Sequence, residues 1–437
     1  MNTQQQVTPM TTDVFSTYES EARTYCRSIT EVFVRAKGCY LFNDKGEQYL
    51  DFLSCAGALN YGHNHPELKA KQIEFINSDG LQGALDLHTH AKAEFIEAFQ
   101  QKVLKPRDMN YKMQFTSPTG TSVVESATKL ARKATGRTKL VAFTNGFHGM
   151  SGTSLGLTGN RHHRQPNADP NVFRMPFENY MENMDSLAYF EQLLNDKSSG
   201  IDIPAAVTVE TIQGEGGINV ASVDWLRRLR EITLEHEILL IIDDIQAGCG
   251  RTGKFFSFEH AGICPDMVCL SKSLSGYGYP MSVLLMSDHL DLWLPGEDNG
   301  TFRGNSIAMV TAKATIDQFW SNDMLENHMS ANEQVIKNVL ARFDRDFDHL
   351  IDECRGRGMM WGIEFHNPQD AADLISLCRK NHMIVESCGN EDMVIKLFPP
   401  LNIDVDNLKK GLDILENSIR AISAEKTQAI VCDGEAA

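Results

Sequence analysis

Between about residues 110 and 290, short apolar runs alternate with stretches in which apolar residues recur every three or four positions. The runs are Lys139–Phe143, Ala205–Val209, Ile238–Ile242, Met267–Leu270 and Ser282–Met286. Runs this short, without polar alternation, predict strands buried on both faces. Between them, Val124, Ala127, Leu130 and Ala131 within Ser122–Ala134 predict one amphipathic helix. Trp225, Leu226, Leu229 and Ile232 within Val223–His236 predict another. Strand–helix alternation of this kind builds a mostly parallel sheet covered on both faces, whose ligands sit beyond the carboxyl ends of the strands.

The flanks read differently. Tyr40–Phe52 predicts two strands around the turn Asn43-Asp44-Lys45-Gly46. After about residue 320 the pattern predicts a helix over Asp323–Phe347, a strand over Gly356–Phe365, a strand over Val394–Phe398 and a final helix from Asp406. The organisation expected is an N-terminal segment (1–65) joining a smaller unit, a large unit (66–320) and a C-terminal small unit (321–437). Residues 1–15 and the last dozen read as polar, mobile tails.

With 437 residues the chain can bury a large core. Its net charge of −17, with no basic stripe, argues against nucleic acid or an anionic membrane as partner. No apolar stretch approaches the length of a membrane span, and the first residues lack the pattern of a signal peptide. The ten cysteines contain no Cys-x-x-Cys pair and read as reduced thiols, so a cytoplasmic location is expected.

The chemistry gathers at the ends of the predicted strands. Asp243 closes the Ile238–Ile242 run, and Lys272 stands between two serines just after Met267–Leu270. A buried acid beside a buried amine suits pyridoxal 5'-phosphate. That cofactor needs an amine to bond to its aldehyde and an acid to keep its ring nitrogen protonated. Lys272 is therefore the candidate Schiff-base lysine and Asp243 the partner of the ring nitrogen. Asp244 points to the opposite face by strand alternation. Ile245 returns to the first face and can pack on the ring, while Gln246 can reach its phenolic oxygen. Thr119-Gly120-Thr121, at the start of a helix, offers N–H groups and hydroxyls to a phosphate. Phe147, in Asn145-Gly-Phe-His148-Gly149, can stack on a flat heterocycle.

Two patterns point elsewhere and fail. Gly248-Cys-Gly-Arg251-Thr-Gly253 imitates a dinucleotide or P-loop motif, but Phe255 stands where a P-loop needs Ser or Thr. No credible amphipathic helix follows, so these read as turn glycines. The pairs His63/His65, His88/His90 and His162/His163 lack further ligands at zinc spacing, so no metal is expected.

The segments Glu210-Thr-Ile-Gln-Gly-Glu215-Gly-Gly, Asp243-Asp-Ile-Gln246-Ala-Gly-Cys-Gly-Arg-Thr-Gly253, Ser271-Lys272-Ser273 and Thr301-Phe-Arg-Gly-Asn305 carry a resemblance. Over about residues 20–420 the chain resembles the class III (ω-amino acid type) aminotransferases. The resemblance implies a fold-type I pyridoxal-phosphate transferase, with a large domain built on a mostly parallel seven-stranded sheet and a smaller α+β domain. It implies a homodimer or larger assembly with the site between subunits, in which Thr301 reaches the phosphate bound by the neighbour. Glu210 and His148 would support the cofactor ring, and Glu215 would stand at the substrate entrance. Arg303 and Lys396 would be partners for substrate carboxylates. Many relatives carry an arginine after Phe-His-Gly and another before Pro-Pro; here those places hold Met150 and Lys396. Ala56–Asn64 and Ser271–Gly278 are most similar to the branch of ectoine synthesis. That branch passes an amino group, in ping-pong fashion, from L-glutamate to L-aspartate 4-semialdehyde, giving 2-oxoglutarate and L-2,4-diaminobutyrate. Other ω-amine donors such as ornithine or 4-aminobutyrate, semialdehyde aminomutation, dialkylglycine-type decarboxylation and a nucleotide-binding module stand as alternatives.

Overall fold

The computed structural model describes residues 13–164 and 168–435. Its centre is a seven-stranded sheet. The strand order is Tyr111–Phe115, Val283–Ser287, Met267–Leu270, Leu239–Asp243, Ala206–Val209, Leu140–Phe143 and Val172–Met175. Val283–Ser287 runs antiparallel to both neighbours, and the remaining pairings are parallel. The inner strands Leu140–Phe143, Ala206–Val209 and Met267–Leu270 are buried at every position, as their uninterrupted apolar runs require. The two outermost strands were not among the expected runs. Lys112 and Gln114 interrupt one and Arg174 the other, because an edge strand keeps partial contact with solvent.

The helices Gly120–Thr135 and Val223–Glu235 fall where their periodicity placed them, to within two residues. Each starts on a hydroxyl cap: Thr119 accepts from the Ser122 N–H and Ser222 from the Trp225 N–H.

A smaller domain carries a four-stranded sheet in the order Ile351–Arg357, Met360–Phe365, Val394–Leu397, Glu386–Cys388. Helices Met324–Asp346, Pro368–Lys380 and Val405–Glu435 accompany it. The single strand expected over Gly356–Phe365 is a hairpin. Gly358 turns the chain at φ +62°, where a Cβ would lie 2.4 Å from the Thr252 backbone. The tail expected at the C-terminus continues the last helix as far as Glu435, while residues 1–12 of the N-terminal tail lie outside the described residues. Phe33–Lys37, Tyr40–Asn43 and Gln48–Asp51 form an antiparallel set that Met383–Ile384 extends in parallel.

The glycine-rich Gly248–Gly253 segment is a turn that positions Arg251. This guanidinium is fully buried. It donates to Asn60 Oδ1 (2.6 and 3.2 Å), the Met359 carbonyl (3.1 Å) and the Pro399 carbonyl (2.6 Å). Its ring-face neighbour is Phe398, 5.0 Å away. Burial lowers its pKa to about 9. One side chain thus ties three chain segments together. Arg251→Ala should destabilise the fold by about 3 kcal/mol or more, since it leaves buried acceptors without donors. Arg251→Lys should recover only part of the loss, because an ammonium cannot span the same acceptors; urea unfolding midpoints measure both.

Asp244 also belongs to the fold. It is buried and accepts from the Ser257 N–H at 3.1 Å. Burial raises its carboxyl to about 7. Since the folded pKa exceeds the unfolded one, this group favours folding below about pH 4 and loses that contribution as pH rises through about 7. The melting temperature of Asp244→Asn, relative to the parent, should therefore climb between about pH 4 and pH 7 and level off above.

Candidate active site

Asp243 ends its strand with a buried carboxylate whose Oδ2 lies 2.7 Å from His148 Nδ1. Its Oδ1 accepts the Ile245 N–H at 3.3 Å. Burial alone would push a proton off His148, but Asp243 and Glu210 outweigh it and raise the imidazole above its usual pKa. His148 thus braces the Oδ2 edge of the carboxylate from behind. Glu210 accepts from the N–H groups of Phe147 (2.8 Å) and Gly214 (3.1 Å), and burial raises its carboxyl to about 7. It thereby joins the loop carrying Phe147 to the loop carrying Glu215.

Lys272 opens the turn Lys272–Ser275 with φ +45°, a left-handed conformation that a side chain adopts at a cost of about 1–3 kcal/mol. Burial is the largest influence on its amine and lowers the pKa below the usual lysine value; Lys396 acts in the same direction, against Glu215, Glu386 and Asp243. A second strained segment braces it. Ser54, Cys55 and Ala56 have φ of +46°, +52° and +52°, and Gly57 follows at +83°. Asp51 Oδ1 caps this left-handed turn by accepting from the Leu53 and Ser54 N–H groups (2.8 and 2.9 Å). The turn presents its carbonyls to the site: Gly57 accepts from Ser273 Oγ (2.7 Å) and Ala56 from Gln246 Nε2 (3.0 Å). Residues 56–57 entered the sequence reading only through family resemblance. Nothing in three non-glycine residues announces a left-handed turn.

Lys272 and Asp243 line one cavity of about 220 Å³. Thr119, Gly120 and Thr121 border it, as do Phe147, His148, Glu210, Glu215, Ile245 and Gln246. Gly149 and Met150, which were not assigned a role, border it too. The Gly120–Thr135 helix begins here, and its first N–H groups precede any intrahelical bond. A Cβ at Gly120 would lie 3.2 Å from Ile245 Cδ1, so glycine lets the helix start close against that side chain. Gln246 Nε2 donates to Ala56 O and Glu215 Oε1 (both 3.0 Å), which fixes the amide. Its Oε1 is buried with no partner among the described residues. These features fit pyridoxal phosphate: an anion cradle, an apolar and aromatic wall, an acid for the ring nitrogen, a desolvated amine and an unused polar atom.

Three predicted residues lie elsewhere. Thr301 sits on an exposed turn, Thr301–Gly304, and does not line the cavity of its own chain. Arg303 donates to the Asp298 carbonyl (2.6 Å) and borders a separate cavity with Lys92, Gln114 and Trp293. It is therefore not a carboxylate partner in the Lys272 cavity of its own chain; its short tether to Asp298 directs it away. Lys396 is fully buried behind Glu215, with Nζ 2.7 Å from Glu215 Oε1 and 2.8 Å from Glu386 Oε1. Burial would raise the Glu215 pKa, but Lys396 and Lys272 more than offset it and hold the carboxyl at about 2. Glu386 was missed. A charge in the run Met383-Ile-Val-Glu386-Ser-Cys388 was its only signal. Among the described residues no group of three or more His, Cys, Asp or Glu side chains is placed to hold a metal ion.

Comparison with known proteins agrees with this geometry. Residues 23–419 match the family model "Aminotransferase class-III". A diaminobutyrate--2-oxoglutarate transaminase of Vibrio parahaemolyticus is 51% identical, covering 94% of this chain and 98% of its own. Its counterpart in Halalkalibacterium halodurans is 47% identical over 95% and 97%. Among solved structures, ornithine aminotransferase of Toxoplasma gondii ME49 superposes with a TM-score of 0.81 at 24% identity, covering 94% of this chain and 95% of that one. The chain belongs to the class III aminotransferases, and its cofactor is pyridoxal 5'-phosphate.

Proposed function

We propose that this aminotransferase exchanges an amino group between L-glutamate and L-aspartate 4-semialdehyde, giving 2-oxoglutarate and L-2,4-diaminobutyrate. The observation that carries the substrate assignment is near-complete coverage by relatives of that name at 51% and 47% identity. The site chemistry is consistent with it, since a desolvated amine and a buried acid face one cavity.

When bound, pyridoxal phosphate supplies an aldehyde that takes up the amino group and a ring that accepts the electron pair left on carbon. The side chains divide the remaining work. Lys272 would hold the cofactor through its amine, and its Nζ, once free, would carry a proton from the substrate carbon that bears nitrogen; burial lowers its pKa in the direction that favours this role. Asp243, backed by His148, keeps a proton on the ring nitrogen. The helix N-terminus at Thr119–Thr121 receives the phosphate and offsets its charge. Phe147 and Ile245 would pack against the ring and Gln246 would serve its hydroxyl, since all three line the cavity.

Two further elements belong to the proposal. Copies of the chain associate so that the exposed Thr301 hydroxyl completes the phosphate site of a neighbour. The location is the cytoplasm, in keeping with the absence, among the described residues, of any helix long and apolar enough to cross a membrane.

Mixing purified enzyme with glutamate and aspartate 4-semialdehyde should release 2-oxoglutarate and diaminobutyrate in equal amounts. A panel including ornithine and 4-aminobutyrate should give lower kcat/KM, and a higher value for either would replace the assignment. Lys272→Ala should abolish turnover, and borohydride should no longer fix the cofactor to the protein. Asp243→Asn should lower kcat about 100- to 1,000-fold, comparable to other lost electrostatic partners, with the cofactor still bound; steady-state kinetics alongside the cofactor absorbance decides it.

A further inference from the structure

Lys396 has two carboxylate neighbours of unlike character. Glu386 is its direct cross-strand partner in the antiparallel pairing of Glu386–Cys388 with Val394–Leu397. The ladder places their side chains next to each other. Glu215 stands on the loop Gly214-Glu215-Gly216-Gly217 and lines the cavity, with its side chain 31% exposed. Of the two, Glu215 is the one on a glycine-rich loop rather than in a strand ladder.

The consequence is a matter of charge. With Glu215 in place, one ammonium faces two carboxylates, so the cluster carries one net negative charge. With Glu215 turned away, Lys396 and Glu386 leave a neutral pair. At no point does the cluster present a net positive charge to an incoming carboxylate. Glu386 Oε1, moreover, is buried and makes no aligned hydrogen bond among the described residues, so it retains capacity to accept one. Its charge is felt at Lys272, the reacting amine.

We propose that Glu386 is a specificity-determining residue: by holding this cluster one charge more negative than a lone Lys396–Glu215 pair, it favours substrates that bring an ammonium group over those that bring a second carboxylate. The inference deepens the reading above, in which one partner is a diamine and the other a dicarboxylate, and rests on it. Glu386 does not line the Lys272 cavity and acts through Lys396, so it is a positioning residue for that charge.

The test uses holoenzyme and two probes that cannot react with the cofactor: glutarate for the dicarboxylate and butyltrimethylammonium for the cation. Calorimetry gives their dissociation constants. Glu386→Gln should bind glutarate at least fivefold more tightly and butyltrimethylammonium at least fivefold more weakly, with a matching fall in KM for 2-oxoglutarate and rise in KM for diaminobutyrate. Glu386→Asp, which keeps the charge, should retain the parental order of affinities. If Glu386→Gln does not fold, the double variant Glu386→Gln/Lys396→Gln removes both charges and leaves Glu215 alone. It should then show the parental preference for the cation. Probe constants within twofold of the parent in Glu386→Gln, or loss of cation preference in the double variant, would overturn the proposal. A parent enzyme that does not transaminate glutamate would instead overturn the underlying reading, so the two failures are distinct.

Discussion

The site depends on one pairing, the parallel ladder between Leu239–Asp243 and Met267–Leu270. Asp243 lies opposite Cys269 in that register. Because both strands run in the same direction, both chains leave the sheet at the same edge, and Lys272 emerges two residues beyond Leu270 beside the acid. A slip of one residue would exchange the faces of Asp243 and Asp244. The carboxylate bonded to Ser257 would then face the cavity, and the one bonded to His148 would face the core. Burial alone does not oppose that slip, since successive residues Ile241, Ile242, Met267 and Val268 are buried on both faces; the bonds of Asp243 to His148 and of Asp244 to Ser257 tell the faces apart.

Around that ladder the protein buries an unusual number of ionisable groups, and each has a specific answer to desolvation. Asp243 has His148, Glu215 has Lys396, and Arg251 has three neutral oxygen atoms. Glu210 only shares His148 and Asp244 bonds to Ser257, so burial raises both carboxyls to about 7. The cavity thus combines a buried, hydrogen-bonded acid with a desolvated amine. Strain contributes as well: Lys272 and the Ser54–Ala56 turn hold left-handed backbone where a relaxed chain would withdraw the groups it presents.

Much of this was legible in the chain. The five inner apolar runs became strands because burial on both faces leaves an unbroken signature, and their ends gave Asp243 and Lys272; the helix at Gly120 was read from its own Thr-Gly-Thr start. The edge strands escaped because Lys112, Gln114 and Arg174 face partly outward and break the run. The Gly358 turn escaped because its neighbours Met359, Met360 and Trp361 read as continuous strand. Glu386 and the Ser54–Gly57 turn escaped for a deeper reason. A charge in a strand or a left-handed alanine is explained only by partners far away along the chain, Lys396 in one case and Gln246 and Ser273 in the other. Arg251 shows the same limit, since its glycines were read correctly as a turn while the side chain they aim gave no sign of its acceptors.

Arg251 also bears on how the molecule is made. Its acceptors belong to residues 60, 359 and 399, so the last of them is synthesised 148 residues after the guanidinium itself. At ordinary translation speeds the cation waits roughly 7–30 s for that oxygen to leave the ribosome. Throughout that interval the guanidinium lacks one of the oxygens that its burial requires. A ribosome-bound fragment ending before Pro399 would therefore hold every residue that lines the Lys272 cavity while the clasp at Arg251 stays open, so closure of this clasp is an event of the nearly completed polypeptide.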